Sequence, residues 1–335
     1  MIEMKRVLAL IMVLILALAF TACSKENSNT PGGDLGSESD SSSKPNNSNN
    51  GLNDLLPEFD KTYDIEETHL TDTYDVSITA TQLSYSNSSV TLSLKIENKT
   101  DSDREVYAGT TGYGCNSVNG YMIHDGYLRC QVAPGATEED KISFSYDELY
   151  AHGISVIADI GVGFDVEDDD YHHEYSGMIT IKTKKADDYD YSEDTYIKTM
   201  KGNTLQNAYG ITVDAFSESA PYSQGGISLI SQAVVRNKNG DGNLALEFKN
   251  EADQDIYVNL TGLYINDQEV STSYLASDLI CLGKRDVVSV SLRKYFEENT
   301  ALKDQVIQSV KFNIELTNSD SKSLTQKTAV TVDFN

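Results

Sequence analysis

The chain has 335 residues, with 52 acidic against 26 basic side chains and a formal charge of −26. A surface of that sign repels nucleic acid backbones and anionic lipid headgroups, and any partner it steers electrostatically is cationic. No basic stretch with interleaved aromatics breaks the pattern, so nucleic acid is excluded as a partner.

Lys5 and Arg6 precede an uninterrupted apolar run from Val7 to Phe20. This is the pattern of a secretory signal peptide over residues 1–22. The apolar run is shorter than the roughly 20 residues a permanent membrane span needs. The leader ends in "AFTAC", where Thr21 and Ala22 directly precede Cys23. This ending resembles the lipobox of bacterial lipoproteins, although Phe20 stands where that family usually has leucine. The resemblance implies cleavage after Ala22, palmitate-type acylation at Cys23, and a lipid-anchored location on the extracytoplasmic face of the cell membrane. An ordinary secreted protein with Cys23 as an idle thiol is the alternative. Residues 23–56 are rich in Ser, Asn, Gly and Asp. They bury too little apolar surface to offset the entropy of ordering them. As a disordered linker they reach about 30 Å on average.

Beyond the linker the chain repeats itself. "SVTLSLKIENKTDSDREVYAGTTG" (89–112) corresponds to "DGNLALEFKNEADQDIYVNLTG" (241–262). Leu92, Leu94, Ile96 and Asn98 fall on Leu244, Leu246, Phe248 and Asn250. Downstream, "VIADIGVGFDVED" (156–168) lies over "VIQSVKFNIELTN" (306–318) without a gap. Apolar residues there alternate with period two, as in a strand with one face in a core. Each copy has turns such as "NG" at 119–120 and "PG" at 134–135, and one short helical stretch, 145–153 or 292–305. Residues 209–216 read as an extra strand of the second copy, and 57–75 as an irregular leading strand of the first. Dense alternation in units near 100 residues predicts an all-β chain of two tandem immunoglobulin-like β-sandwich domains related by internal repeat. The expected domains span 57–199 and 200–335. The alternative is one merged sandwich or barrel.

"VEDDDYHHEYSG" (166–177) places five acids and two histidines in a hairpin loop whose counterpart, 316–327, holds one acid and two lysines. Asp165, Glu167, Asp168, Asp169, Asp170 and Glu174 supply oxygens for a weak calcium site; the alternative is a solvated loop. The spacing is not that of an EF-hand. Adjacent His172 and His173 point to opposite faces of a strand and make a poor zinc pair. No other cofactor is expected.

After Cys23, three cysteines remain. Cys115 and Cys130 are spaced for a disulfide worth about 3 kcal/mol on chain-entropy grounds, and Cys281 reads as a small buried hydrophobe. Tyrosine is abundant, with 20 against 9 phenylalanines and no tryptophan. Tyr113, Tyr121 and Tyr127 mark a ligand-binding surface in the first copy, in or beside "TTGYGCNSVNGY" (110–121), which departs from the repeat. Without a nucleophile elbow, phosphate-cradling loop or HExxH helix, the chain is expected not to be an enzyme. Residues 75–335 resemble the tandem β-sandwich modules of uncharacterised Gram-positive surface lipoproteins. That resemblance implies a membrane-anchored binding module for an extracytoplasmic protein, peptide or envelope glycan. A structural spacer subunit is the alternative, and a hydrolase with a loop-assembled site the more remote one.

Overall fold

The computed structural model describes residues 56–109, 116–298, 301 and 305–334. The expected leader, the expected lipidation site Cys23, the linker to residue 55, Tyr113 and Cys115 lie outside them. The first repeat runs β1 (Thr68–Thr73), β2 (Val76–Tyr85), β3 (Ser89–Asn98), β4 (Arg104–Ala108), β5 (Asn116–Val118), β6 (Tyr121–Ile123), β7 (Leu128–Val132), β8 (Thr137–Ser145), helix α1 (Tyr146–Ala151), β9 (Asp159–Glu167) and β10 (His173–Lys182). Two short helices follow, α2 (Thr195–Lys201) and α3 (Thr204–Tyr209). The second repeat runs β11 (Thr212–Ser217), β12 (Tyr222–Gln224), β13 (Ile227–Arg236), β14 (Gly242–Asn250), β15 (Ile256–Ile265), β16 (Gln268–Ile280), β17 (Arg285–Ser291), α4 (Arg293–Glu298), β18 (Ser309–Thr317) and β19 (Thr328–Asp333). Among the described residues no helix is long and apolar enough to cross a membrane.

The chain is all-β, and the repeat is visible as strand order. The first repeat pairs β1-β2-β3-β8 in one sheet and β7-β4-β9-β10 in the other. The second pairs β11-β13-β14-β17 and β16-β15-β18-β19 in the same sequence of neighbours. Each pair of sheets encloses an apolar cluster. Leu92, Leu94 and Ile96 meet Val106, Phe164 and Val166 in the first, and Leu244, Leu246 and Phe248 meet Val258, Phe312 and Ile314 in the second. Each such side chain stabilises its sandwich by roughly 1.5–3 kcal/mol on burial.

The asparagines matched by the repeat do the same work twice. Asn98 is fully buried, and its amide donates to the carbonyls of Ser102 (2.8 Å) and Val132 (2.9 Å). Its oxygen accepts from the Thr100 N–H. Asn250 donates to Gln254 (2.9 Å) and Ile280 (2.8 Å) and accepts from Ala252. Both side chains tie the turn after a central strand to the facing sheet, replacing backbone partners the turn cannot supply.

The two repeats share a sheet. β5 and β6 form a hairpin through Asn119 (φ 50°) and Gly120 (φ 89°), the positive pair a two-residue turn requires. β5 pairs with β9, and β6 lies parallel to β17 through Tyr121 and Arg285. The Arg285 N–H donates to the Gly120 carbonyl at 2.9 Å. Nine strands thereby run in one order, β11-β13-β14-β17-β6-β5-β9-β4-β7.

This corrects one expectation. The "VNGY" segment, a departure from the repeat, is not an open recognition loop but the splice between the repeats, and Tyr121 is only 3% exposed. Its consequence is visible on β14. Leu244, Leu246 and Phe248 point into the second core, while Ala245 and Glu247 on the other face are buried as well. Ala233 and Ala245 join the first repeat's cluster, as do Tyr196 and Met200 of α2. The expected boundary at residue 199/200 therefore falls inside a helix packed against the first core.

Candidate functional site

The outer face of β7-β4-β9-β10 adjoins the acidic, histidine-bearing hairpin that the second repeat lacks. Pairing sets its side chains in rows. Arg129, Tyr107, Asp165 and Tyr175 lie side by side across the four strands. The next row is Gln131, Glu105, Glu167 and His173. Between the rows the pleat turns Val106, Cys130 and Val166 into the core.

Asp165 is 6% exposed although it stands on the outer face. Burial holds its carboxyl above the usual range, with His173 opposing and Glu167 adding to the effect. His173 Nδ1 lies 3.7 Å from Asp165 and 3.5 Å from Glu167. The Arg129 guanidinium and the Tyr107 hydroxyl both bond Glu105, and the Arg129 hydrogen bond keeps the Glu105 carboxyl below its ordinary value. The Tyr175 ring lies over Gly163, where an added Cβ would come within 2.4 Å of the tyrosine oxygen. Glycine at 163 thus lets the ring lie close to the strand. A hollow of about 170 Å³ opens beside this face, walled by Arg104, Glu105, Gln131, Glu167, Asp169 and Tyr171.

The acidic hairpin forms as expected between β9 and β10. Asp168 is its structural residue. Its Oδ1 accepts from the Asp170 and His172 N–H groups, both at 2.9 Å. Its Oδ2 accepts from the Tyr74 hydroxyl and lies 3.3 Å from His172 Nδ1. These bonds, led by that of Tyr74, hold the Asp168 carboxyl far below the usual range. Asp169, Asp170 and Glu174 are exposed. Glu174 pairs with Val166, whereas Asp165 and Glu167 fall on the opposite pleat face. Among the described residues no three His, Cys, Asp or Glu side chains gather so as to hold a metal ion.

Of the tyrosines expected at a binding surface, Tyr127 is 55% exposed beside Arg129 and extends the face. Tyr171, at the tip of the acidic hairpin, is 78% exposed. Tyr121 is buried at the splice, and Tyr113 lies outside the described residues. Cys130 is a buried free thiol, pushed up to about 12 by burial; its expected partner, Cys115, lies outside the described residues. Cys281 is buried against Met122. Glu105 and Arg129 carried no sequence signal beyond their outward phase on β4 and β7, since only strand order shows that they are neighbours. On the matching face of the second repeat, Ser277 donates to Asn259 and Asn259 donates to Thr317, with Glu315 in the same row. There the Tyr264 hydroxyl donates to Glu269 at 2.7 Å, while Lys311 lies over the Tyr264 ring.

No protein-family model matches the sequence, and neither does any curated protein. Among solved structures, red sea bream transglutaminase aligns at 10% identity and a TM-score of 0.21, over 79% of this chain and 31% of that one. This chain thus spans about a third of the transglutaminase. An anti-sigma factor domain-containing protein aligns at 10% identity and 0.15, over 73% and 82%. A protein of unknown function from Porphyromonas gingivalis W83 aligns at 12% and 0.18, over 75% and 94%. At these scores the likenesses carry no argument about what the chain does.

Proposed function

We propose that the chain is a membrane-anchored extracytoplasmic binding module whose first repeat takes up a cationic segment of a protein or peptide on its tyrosine and carboxylate face. The observation that carries this reading is the cross-strand arrangement of Tyr107, Tyr175, Glu105, Asp165 and Glu167, with Tyr127 and Tyr171 at its margins. Carboxylates accept charge-assisted hydrogen bonds from Lys and Arg. Tyrosine rings offer flat apolar area and attract cations over their faces. Glu105 and Gly163 hold two of the rings before a partner arrives, which lowers the ordering cost of binding. The anchor is the acyl group read at Cys23, with residues 24–56 as the tether.

Fluorescence anisotropy with a labelled oligolysine-containing peptide tests the face. We expect binding at low salt that weakens as salt rises, and a loss of about tenfold, roughly 1.4 kcal/mol, in Tyr171→Ala or Glu167→Gln. Equal affinity for basic and neutral peptides would sink the proposal. A chain that binds neither yet stays with the membrane fraction would be left with the spacer role.

A further inference from the structure

Away from the tyrosine face, the densest set of buried ionisable groups lies where the repeats meet. Glu247 on β14 is fully buried. Its Oε2 accepts from the Ser231 hydroxyl at 2.6 Å, and its Oε1 has no hydrogen-bond partner. Facing it is Asp194, the N-cap of α2, which accepts from the Ile197 N–H at 2.9 Å and the Tyr121 hydroxyl at 3.2 Å. Arg285 of β17 bonds Asp194, donates to the Tyr121 hydroxyl at 3.3 Å, and lies 3.7 Å from Glu247 Oε1. Further polar neighbours are Thr195 against Tyr121, Tyr189 near Arg285, Tyr196, whose buried hydroxyl has no hydrogen-bond partner, and His152 at the end of α1, whose ring lies 6.2 Å from that of Tyr196.

The charge count does not close. Two carboxylates share one guanidinium; Asp194 and Arg285 keep 20% and 16% of their side chains exposed, but Glu247 keeps none, and an uncompensated buried carboxylate is expensive. A proton on Glu247 removes the excess and provides a hydrogen for Asp194. The groups come from both sides of the splice: Glu247, Ser231 and Arg285 from the second repeat, Tyr121 from the first, and Asp194 and Tyr196 from the segment between. We propose that this joint is a proton-controlled latch: a proton on the buried Glu247, facing Asp194, keeps the second repeat's sheet closed on the first, and its loss lets the repeats part.

Burial, and next the Asp194 carboxylate, push Glu247 up to about 8. In an opened joint the carboxyl returns to about 4.3. The closed state therefore binds more protons than the open one throughout that interval. Closure is strongest below pH 4.3, weakens as pH rises, and levels off above 8, by up to about tenfold per pH unit for one proton. His124 pairs with the buried Asp286 at 2.9 Å across the same splice. The Asp286 charge raises His124 to about 10, so the imidazolium persists through the window. Asp278 beside the pair is raised to about 6 by burial and next by Asp286, and adds a response that Glu247→Gln leaves in place.

Hydrogen exchange of the full chain in detergent micelles tests the latch, read at peptides covering 116–123 and 285–291. Rates at pH 5 and pH 8.5 are corrected for intrinsic chemistry and referred to the β3 core. The wild type is expected to lose protection at the splice by about tenfold or more, relative to that core, over this interval. Glu247→Gln, neutral at every pH, is expected to keep most of it. Asp194→Asn removes the competing carboxylate and is expected to flatten the wild-type response, which serves if Glu247→Gln does not fold. A wild type with no such loss, or variants that lose protection in parallel with it, would overturn the proposal.

Discussion

Replacing Arg285 with alanine is expected to lower the unfolding free energy by about 3–5 kcal/mol, the range found when one partner is removed from a buried ion pair. The side chain is largely enclosed and is the cation beside both Asp194 and Glu247. Its loss leaves the Asp194 carboxylate without its cation beside the buried Glu247 and strips the Tyr121 hydroxyl of a donor. Urea unfolding measures the effect as a lower midpoint. The cost should grow as pH rises through about 8, where the wild-type Glu247 gives up its proton and gains the Arg285 charge as a partner. Above pH 8, Arg285→Ala combined with Glu247→Gln should recover more than about 1 kcal/mol of the single-variant loss, because the groups act as one network. A single-variant loss below about 1 kcal/mol would mean that water already screens the joint.

The second large effect is expected twice over. Asn98→Ala and Asn250→Ala should each cost about 2–4 kcal/mol, since each strips a buried carbonyl, a turn carbonyl and a turn N–H of their partner. The hydrogen-bond patterns are the same, so the two costs should agree within about 1 kcal/mol despite the different sequences around them. Chemical denaturation of the two variants side by side decides it. If only one substitution is costly, the asparagines are not equivalent supports and the shared strand order overstates the likeness of the repeats.

Much of the fold was legible because it is written locally. Alternation in "SVTLSLKIEN" puts Val90, Leu92, Leu94 and Ile96 inside, and the same phase in β18 buries Val310, Phe312, Ile314 and Leu316. Ser145 accepts from the Glu148 N–H at the start of α1, a cap that the run "SYDE" announces. The extra strand read at 209–216 forms as β11 and pairs with β13. The candidate site was only half legible. The acidic hairpin and its tyrosines stood out as departures from the repeat, but Asp168 turned out to build its own loop. Tyr121 was misplaced because a tyrosine in a turn-flanked run reads as exposed until a second sheet edge arrives to cover it.

Sequence by itself determined the units of this protein: strand phase, turn positions, the doubled pattern and the matched asparagines, because each depends on contacts a few residues apart or on the internal copy. Tertiary structure alone decided how the units join. A parallel pairing of Tyr121 with Arg285, 164 positions apart, has no local pattern to announce it. Only that pairing buries Glu247, which otherwise sits at an outward position on a strand and would read as solvated. Whether a charged side chain on the polar face of a strand meets water or another carboxylate is set by what docks on that face, and docking partners are fixed by long-range geometry rather than by neighbouring residues.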